Sequence, residues 1–429
     1  MADQISNDQR FRLSRRAALA GLAATCAAGL VPTADATAEG AAGPVFSPSG
    51  PKADFYGAAE NYPIKDTSLG FVPGNPLQPK YRVGAFSHYA ELFPTRLIKP
   101  AANPWQFKRA PAAMTDPLQA RVNDYLSHQP VTGLLIDKDD QILFEHYQYG
   151  RTDRDLLLSQ SMVKSITGLL IGMAIGDGAI KSVDDTAETY VPGLKGTEYG
   201  ATPLRALLQM SSGVDFGEDK DQGRDLDRLW IDMVRGVGSR GTIASIAQFN
   251  HRIASPGTRF YYASIEPDVL GLVLHSAVKK SASDYLREKI WEPIGAEADA
   301  KWLIDAEGFE VAHHGFNAAL RDYARLGRLL AHDGAWEGKQ IIPAQWLLDA
   351  TTTRPSDAYL APGRTAPNSL GYGYLMWLLP GTRRQFAPIG SYGQRILVDP
   401  ASKLVMVQTA LDNNDEIGRL WSDVVKTFG

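Results

Sequence analysis

The sequence holds a single cysteine, Cys26, so no disulfide within the chain can staple the fold. It offers no apolar run of the ~20 residues a helix needs to cross a bilayer. The stretch 17–30 near the N-terminus is too short. Neither sign of charge dominates: 44 basic against 48 acidic residues leave a formal charge of -4. No clustered Lys/Arg footprint is present to neutralise phosphates, which argues against a nucleic-acid partner. Gly-x-Ser-x-Gly does not occur, which removes the nucleophile elbow of Ser-His-Asp hydrolases. There is no glycine-rich phosphate loop. The 8 histidines include one close pair, His313-His314, and adjacent side chains rarely bind one metal, so neither a metal nor a cofactor is expected. The acidic stretch 215–227 reads as a solvated rim rather than a calcium loop. No internal repeat stands out.

What is present begins with an arginine-led segment. Arg10, Arg12, Arg15 and Arg16 precede the apolar run, and Ala36-Thr37-Ala38 follows it as a small-residue cleavage pattern. The expectation is an export signal over 1–38, with Ser14-Arg15-Arg16 resembling a twin-arginine start and the periplasm as destination. Cys26 falls inside it. Residues 39–115 are rich in Pro and Gly with scattered aromatics, and are expected to form an irregular extension packed on the main body.

Beyond that, periodicity organises the chain. Leu118, Val122 and Tyr125 have helical spacing, predicting a helix over 116–128. Two strand-like runs, 131–136 and 141–149, flank Asp137-Lys138-Asp139-Asp140, which is turn chemistry and predicts a hairpin. Residues 181–367 are mostly helical in pattern. Short strand-like pieces return at 373–379, 386–398 and 404–409, and a helix over 415–428 follows. Strands at both ends with helices between imply one α/β unit, 116–180 plus 368–429, and a mainly helical insertion, 181–367.

One helix is unusual. Over 161–175, Met162, Val163, Ile166, Leu169, Leu170, Ile171, Met173 and Ile175 surround nearly the whole circumference, the mark of a buried helix. Ser159 is a candidate N-cap. Gly168, Gly172 and Gly176 recur every four residues and leave one smooth side for close packing. Lys164 is the anomaly, because burial disfavours an ammonium relative to the free amine. A lysine so placed is a candidate base. Ser161 lies three residues earlier, on the same helix face, at the end where the helix dipole favours negative charge. Ser-x-x-Lys also occurs at Ser49 and Ser276, so the spacing alone decides little. Only the Ser161 copy opens a buried helix preceded by strands.

Two later segments support it. Pro256-Gly257 makes a turn before Tyr262, with Ser264 two positions on and a helical run beyond. A phenol beside a lysine is a usable proton shuttle. In the C-terminal strands, Pro388-Ile389-Gly390-Ser391 places a glycine where a strand can pass close to a ligand. In this order the elements resemble the serine β-lactamase and penicillin-binding superfamily: Ser-x-x-Lys, Tyr-x-Asn/Ser, then a Lys/His-Thr-Gly strand. More closely, 116–429 resembles the class C β-lactamase-like hydrolases that include nylon-oligomer (6-aminohexanoate-dimer) hydrolases and related esterases. The stretches 207–214, 317–327 and 371–377 add to this.

The resemblance implies a β-lactamase/transpeptidase-like fold, an antiparallel sheet flanked by N- and C-terminal helices. It implies Ser161 as nucleophile, Lys164 as its base partner and Tyr262 as proton relay. The N–H groups of Ser161 and Ser391 become the oxyanion hole. Asn317, Ser264, Gly390 and Tyr372 become substrate-binding positions. Two departures narrow the expectation: Ser264 stands for the class C asparagine, and Pro388-Ile389-Gly390 replaces the cationic strand that holds a β-lactam or peptide carboxylate. The expected substrate is therefore a small-molecule amide or ester. A β-lactamase or D-Ala carboxypeptidase-like enzyme and a non-catalytic sensor of the same fold are the alternatives. Nothing in the sequence sets the oligomeric state.

Overall fold

The computed structural model describes residues 43–57, 76–218, 225–234, 241–360 and 371–429. The expected export signal and Cys26 lie outside the described residues. Val131–Lys138 and Gln141–Tyr147 form the predicted hairpin, with Asp139 in the left-handed region at its turn (φ 57). Across Val131–Lys138 lies Leu404–Ala410, and beyond it Gln394–Asp399, Phe386–Ala387, Trp377–Leu378 and Gly371–Tyr372, all antiparallel. The N- and C-terminal parts of the chain thus meet in one sheet. Val45–Phe46 and Lys108–Arg109 add short parallel edges against Gln141–Tyr147.

Period-2 alternation sends neighbouring residues to opposite layers. Leu134, Ile136, Leu397, Leu404 and Met406 face one core, closed by the helices Ala112–His128 and Ile417–Phe428 through Val122, Tyr125, Leu420 and Trp421. Leu135, Ile396, Val398, Val405 and Val407 face the other. That second layer contains the Met162–Gly176 helix and the helix Leu320–Ala331. Each such fully buried aliphatic side chain contributes ~1.5–3 kcal/mol, and the sheet is covered on both faces.

Two findings go beyond the pattern. The stretch 39–115, expected to be irregular, carries the helix Arg82–Leu92 and the strand Thr95–Ile98. Its apolar residues are interleaved with small and polar ones and give no clear period. Its hold on the sheet is partly ionic: Arg109 pairs with the fully buried Glu145, which also accepts from Arg321 at 2.7 Å. Second, the mostly helical middle contains Ala300–Leu303 and Phe316–Ala318, which join Thr95–Ile98 and Leu157–Leu158 in a second sheet. Three- and four-residue strands are too short to leave an alternation.

The helix Met162–Gly176 is buried almost throughout, as its composition requires. Ser161 rather than Ser159 occupies its N-cap position, and Ser159 Oγ instead donates to the Gln160 carbonyl at 2.8 Å. The glycine stripe is needed for close approach: a Cβ on Gly172 would lie 2.3 Å from the Trp346 ring. Gly172→Ala is therefore expected to destabilise the fold. Overpacking costs ~1–3 kcal/mol, more than the ~1 kcal/mol an alanine gains over glycine in a helix. A thermal melt should show a transition a few degrees lower. An unchanged or higher transition would mean that Trp346 gives way freely.

Candidate active site

Ser161 is placed by a sharp turn. The strand Leu157–Leu158 runs in beside Phe316–Ala318, and Ser159 N donates to the Phe316 carbonyl at 2.8 Å. Gln160 then takes a left-handed conformation (φ 48), uncommon for a residue with a side chain, and the helix starts. Such strain persists only where the surroundings enforce it. Its result is a half-exposed serine at the mouth of a buried helix.

Lys164 is 2% exposed. Its Nζ donates to Ser161 Oγ at 2.8 Å and to the His313 carbonyl at 3.0 Å. The face of the Tyr262 ring lies beside it, with the ring centroid 5.0 Å from Nζ, where a cation is attracted by the aromatic quadrupole. The carbonyl that holds the lysine is itself held. Asp268, buried on the helix Ile265–Val278, accepts from Ala312 N at 3.0 Å and lies 2.7 Å from His313 Nδ1.

Tyr262 comes from the turn before that same helix. Tyr261 N donates to the Met210 carbonyl at 2.7 Å, and Gly257 N to the Ser211 carbonyl at 2.8 Å. The stretch 207–214 is thus the platform on which the tyrosine segment rests. The Tyr262 ring stacks on Trp377 (5.7 Å, 21°) and meets Tyr372 edge-on (6.3 Å, 87°). Phe260 closes the wall against Tyr372 at 5.1 Å. The result is an aromatic flank beside Lys164.

On the opposite side runs the strand Ile389–Gly390. A Cβ on Gly390 would lie 2.4 Å from the Ser159 carbonyl oxygen and 3.0 Å from Ser161 N. Only glycine permits this approach, which puts the following Ser391 one residue from the contact with the Ser161 turn.

Gly390 touches the Ser161 turn and the buried Tyr372 meets the Tyr262 ring, whereas Ser264, also buried, has its hydroxyl turned to Glu218. Asn317 sits on Phe316–Ala318, buried, with Nδ2 donating to the Gly315 carbonyl at 2.8 Å. Its Oδ1 has no partner among the described residues. Sequence reasoning missed several groups. Glu218 accepts from Ser264 Oγ at 2.6 Å and from Ser264 N at 2.7 Å, and burial pushes its carboxyl above the usual range. His313 and His314 mattered only as a dismissed metal pair. His314 lies edge-on to Tyr89 (5.0 Å) and Trp230 (5.5 Å), and burial pushes its pKa well down. Asp268, on α-helical spacing after Ser264, gave no separate signal. Among the described residues no group of His, Cys, Asp and Glu could hold a metal ion, and no helix is long and apolar enough to cross a membrane.

With this geometry in place, comparison with known proteins is informative. A family model described as Beta-lactamase matches residues 127–416. The 6-aminohexanoate-dimer hydrolase of Paenarthrobacter ureafaciens is 27% identical over 335 residues, covering 76% of this chain and 84% of that protein. A solved structure from Bacillus anthracis, provisionally described as a 6-aminohexanoate-dimer hydrolase, superposes with a TM-score of 0.71 at 25% identity, covering 82% of this chain and 94% of its own. A family VIII carboxylesterase shares the fold at a TM-score of 0.56 and 15% identity, covering 75% and 99%.

One buried acid beneath the site has a measurable signature. Glu266, one helical turn beyond Tyr262, accepts from Ser212 N at 3.2 Å, and its Oε2 has no partner among the described residues. Burial pushes its carboxyl up to about 8, opposed by the Ser212 hydrogen bonds, the Ser211 N–H and Arg252. The folded protein keeps this proton to about pH 8, whereas the unfolded chain loses it near ~4.3. Stability from this group is therefore full below the lower value and is lost as pH rises through the upper one. Glu266→Gln should melt above wild type at pH near ~9 and converge with it near ~4. Parallel melting curves across that range would place the proton elsewhere.

Proposed function

The chain belongs to the Beta-lactamase family, and from that membership we propose that it cleaves a small amide or ester through an acyl-enzyme on Ser161. It is a β-lactamase-fold serine hydrolase related to 6-aminohexanoate-dimer hydrolase. The observation that carries the finer reading is the 2.8 Å contact between Lys164 Nζ and Ser161 Oγ at the mouth of a buried helix. In the proposed mechanism Lys164, as the free amine and with Tyr262, takes the Ser161 proton while Oγ attacks the carbonyl carbon. The developing oxyanion rests on the Ser161 and Ser391 N–H groups. Tyr262 passes the proton to the departing amine or alcohol, and water then attacks the acyl-enzyme with the proton path reversed. Pro388-Ile389-Gly390 supplies no cation for a substrate carboxylate, which supports linear amides and esters over β-lactams. The aromatic flank of Phe260, Tyr262, Tyr372 and Trp377 supports an apolar acyl or leaving group next to the reacting carbonyl. Asn317, Ser264, Gly390 and Tyr372 remain the proposed substrate-binding positions.

The test is direct. A fluorophosphonate probe should label the wild type, and short p-nitrophenyl esters and linear amides should turn over. Ser161→Ala should abolish labelling, and Lys164→Ala should lower it at least ~10²-fold. Survival of labelling in Ser161→Ala would move the nucleophile elsewhere. Stoichiometric acylation without turnover would favour a sensor, and rapid nitrocefin hydrolysis would favour a β-lactamase. The arginine-led segment 1–38 supports export to the periplasm. Fractionation of cells expressing the full chain should find it there, shortened by that segment; retention in the cytosol would refute this.

A further inference from the structure

The residue after the proposed oxyanion donor is held in a costly conformation. Tyr392 has φ 62 and ψ 26, a left-handed geometry that crowds any residue with a Cβ and is a true outlier for a bulky one. The turn at Tyr392 brings the chain back to pair Gly390 with Gln394, so whatever fixes Tyr392 also holds the strand end that carries Ser391. Gln394 Nε2 donates to the Ser391 and Tyr392 carbonyls at 3.2 and 3.1 Å, and Gly393 N donates to Asn413 Oδ1 at 2.9 Å. These bonds hold the backbone but leave the side chain free.

The side chain is held by the N-terminal extension. The Arg82 guanidinium lies over the Tyr392 ring, 4.3 Å from its centroid, and the Phe86 ring packs against it at 5.4 Å. Arg82 is fixed in turn: Nη1 donates to the Leu411 carbonyl at 2.8 Å, Nε to the Leu77 carbonyl at 2.9 Å, and Asp412 pairs with it at 3.4 Å. A planar guanidinium with three such anchors is a rigid plate for an aromatic ring. The same helix, Arg82–Leu92, places Tyr89 against His314, directly after the carbonyl that holds Lys164. One helix braces both sides of the nucleophile, and it lies outside the span matched by the family model.

We infer that the helix Arg82–Leu92 is a positioning element for acyl transfer: Arg82 and Phe86 clamp Tyr392 in its left-handed conformation and so hold the turn that keeps the Ser391 backbone beside Ser161. The inference rests on the acyl-enzyme reading for Ser161 and Ser391. Without the clamp, Tyr392 relaxes to an ordinary backbone conformation, the Gly390–Gln394 turn opens and Ser391 shifts away. Glycine adopts φ 62 without strain, so a Tyr392→Gly chain does not need the clamp.

The experiment compares Arg82→Ala in two backgrounds, with the full chain well below its melting temperature. Fluorophosphonate labelling rates, and kcat and KM for a p-nitrophenyl ester, are measured for each. In the otherwise wild-type chain, Arg82→Ala is expected to lower kcat and the labelling rate about 10-fold or more, part of the ~10²–10³-fold effect of losing one oxyanion donor, with KM changed little. In Tyr392→Gly the same substitution is expected to change the labelling rate less than about two-fold. Phe86→Ala serves as the second probe where Arg82→Ala folds poorly. A clamp that merely docks the extension would lower the melting temperature and leave kcat of the folded protein intact, which would overturn the inference. So would an equal loss in both backgrounds, or a Tyr392→Gly chain with no labelling, which would assign the role to the ring rather than the backbone. If the wild type is not labelled at Ser161 at all, the acyl-enzyme reading fails first, and the two failures are told apart.

Discussion

A single amine in an apolar interior sets the terms for the rest of this molecule. Lys164 is 2% exposed on a helix whose other buried side chains, Ser165 and Thr167 apart, are hydrocarbon. Such a group is tolerable only if each of its hydrogens has somewhere to go. Ser161 Oγ takes one, the His313 carbonyl takes another, and the Tyr262 ring face lies against the remaining side. Each partner comes from a different part of the chain, so the fold has to bring three segments to one point. That is what the two sheets and the helix Ile265–Val278 accomplish.

The helix Ile265–Val278 is the common frame. The turn before it presents Tyr262, its N-cap position holds Ser264 against Glu218, and Asp268 a turn later pins the 312–313 segment that ends on the lysine. Tyr262 and the carbonyl that accepts from Lys164 are thus tied to one helix. The opposite wall is fixed differently. There a glycine lets the strand Ile389–Gly390 touch the Ser161 turn, and the strained Tyr392 behind it leans on a helix from the N-terminal extension.

Several parts of this arrangement were legible in the chain itself. Short apolar runs at 131–136 and 404–409 gave the central strands, because a sheet buried on both faces must supply an apolar side chain to each layer. The all-round apolar character of 161–175 gave a buried helix, and its four-residue glycine spacing gave the side pressed against Trp346. Lys164 stood out as a charge in an apolar helix, Ser161 because it opens that helix, and Tyr262 because its segment follows theirs in the order of a known family. By contrast, the strand Thr95–Ile98 and the strands Ala300–Leu303 and Phe316–Ala318 left too few residues for a period to show.

The sequence by itself therefore determined the strand and helix runs that build the layers and the buried helix that Ser161 opens, since these are local patterns of polarity, while the ordered motifs around Tyr262 and Gly390 carried the resemblance to the family. Only the tertiary structure decided what surrounds them. Glu218 on Ser264, Asp268 on His313, and Arg82 on Tyr392 are pairs separated by 46, 45 and 310 positions. Neither member of such a pair carries a mark of the other. A buried acid or a strained backbone is defined by its neighbours, and those exist only once the chain has folded.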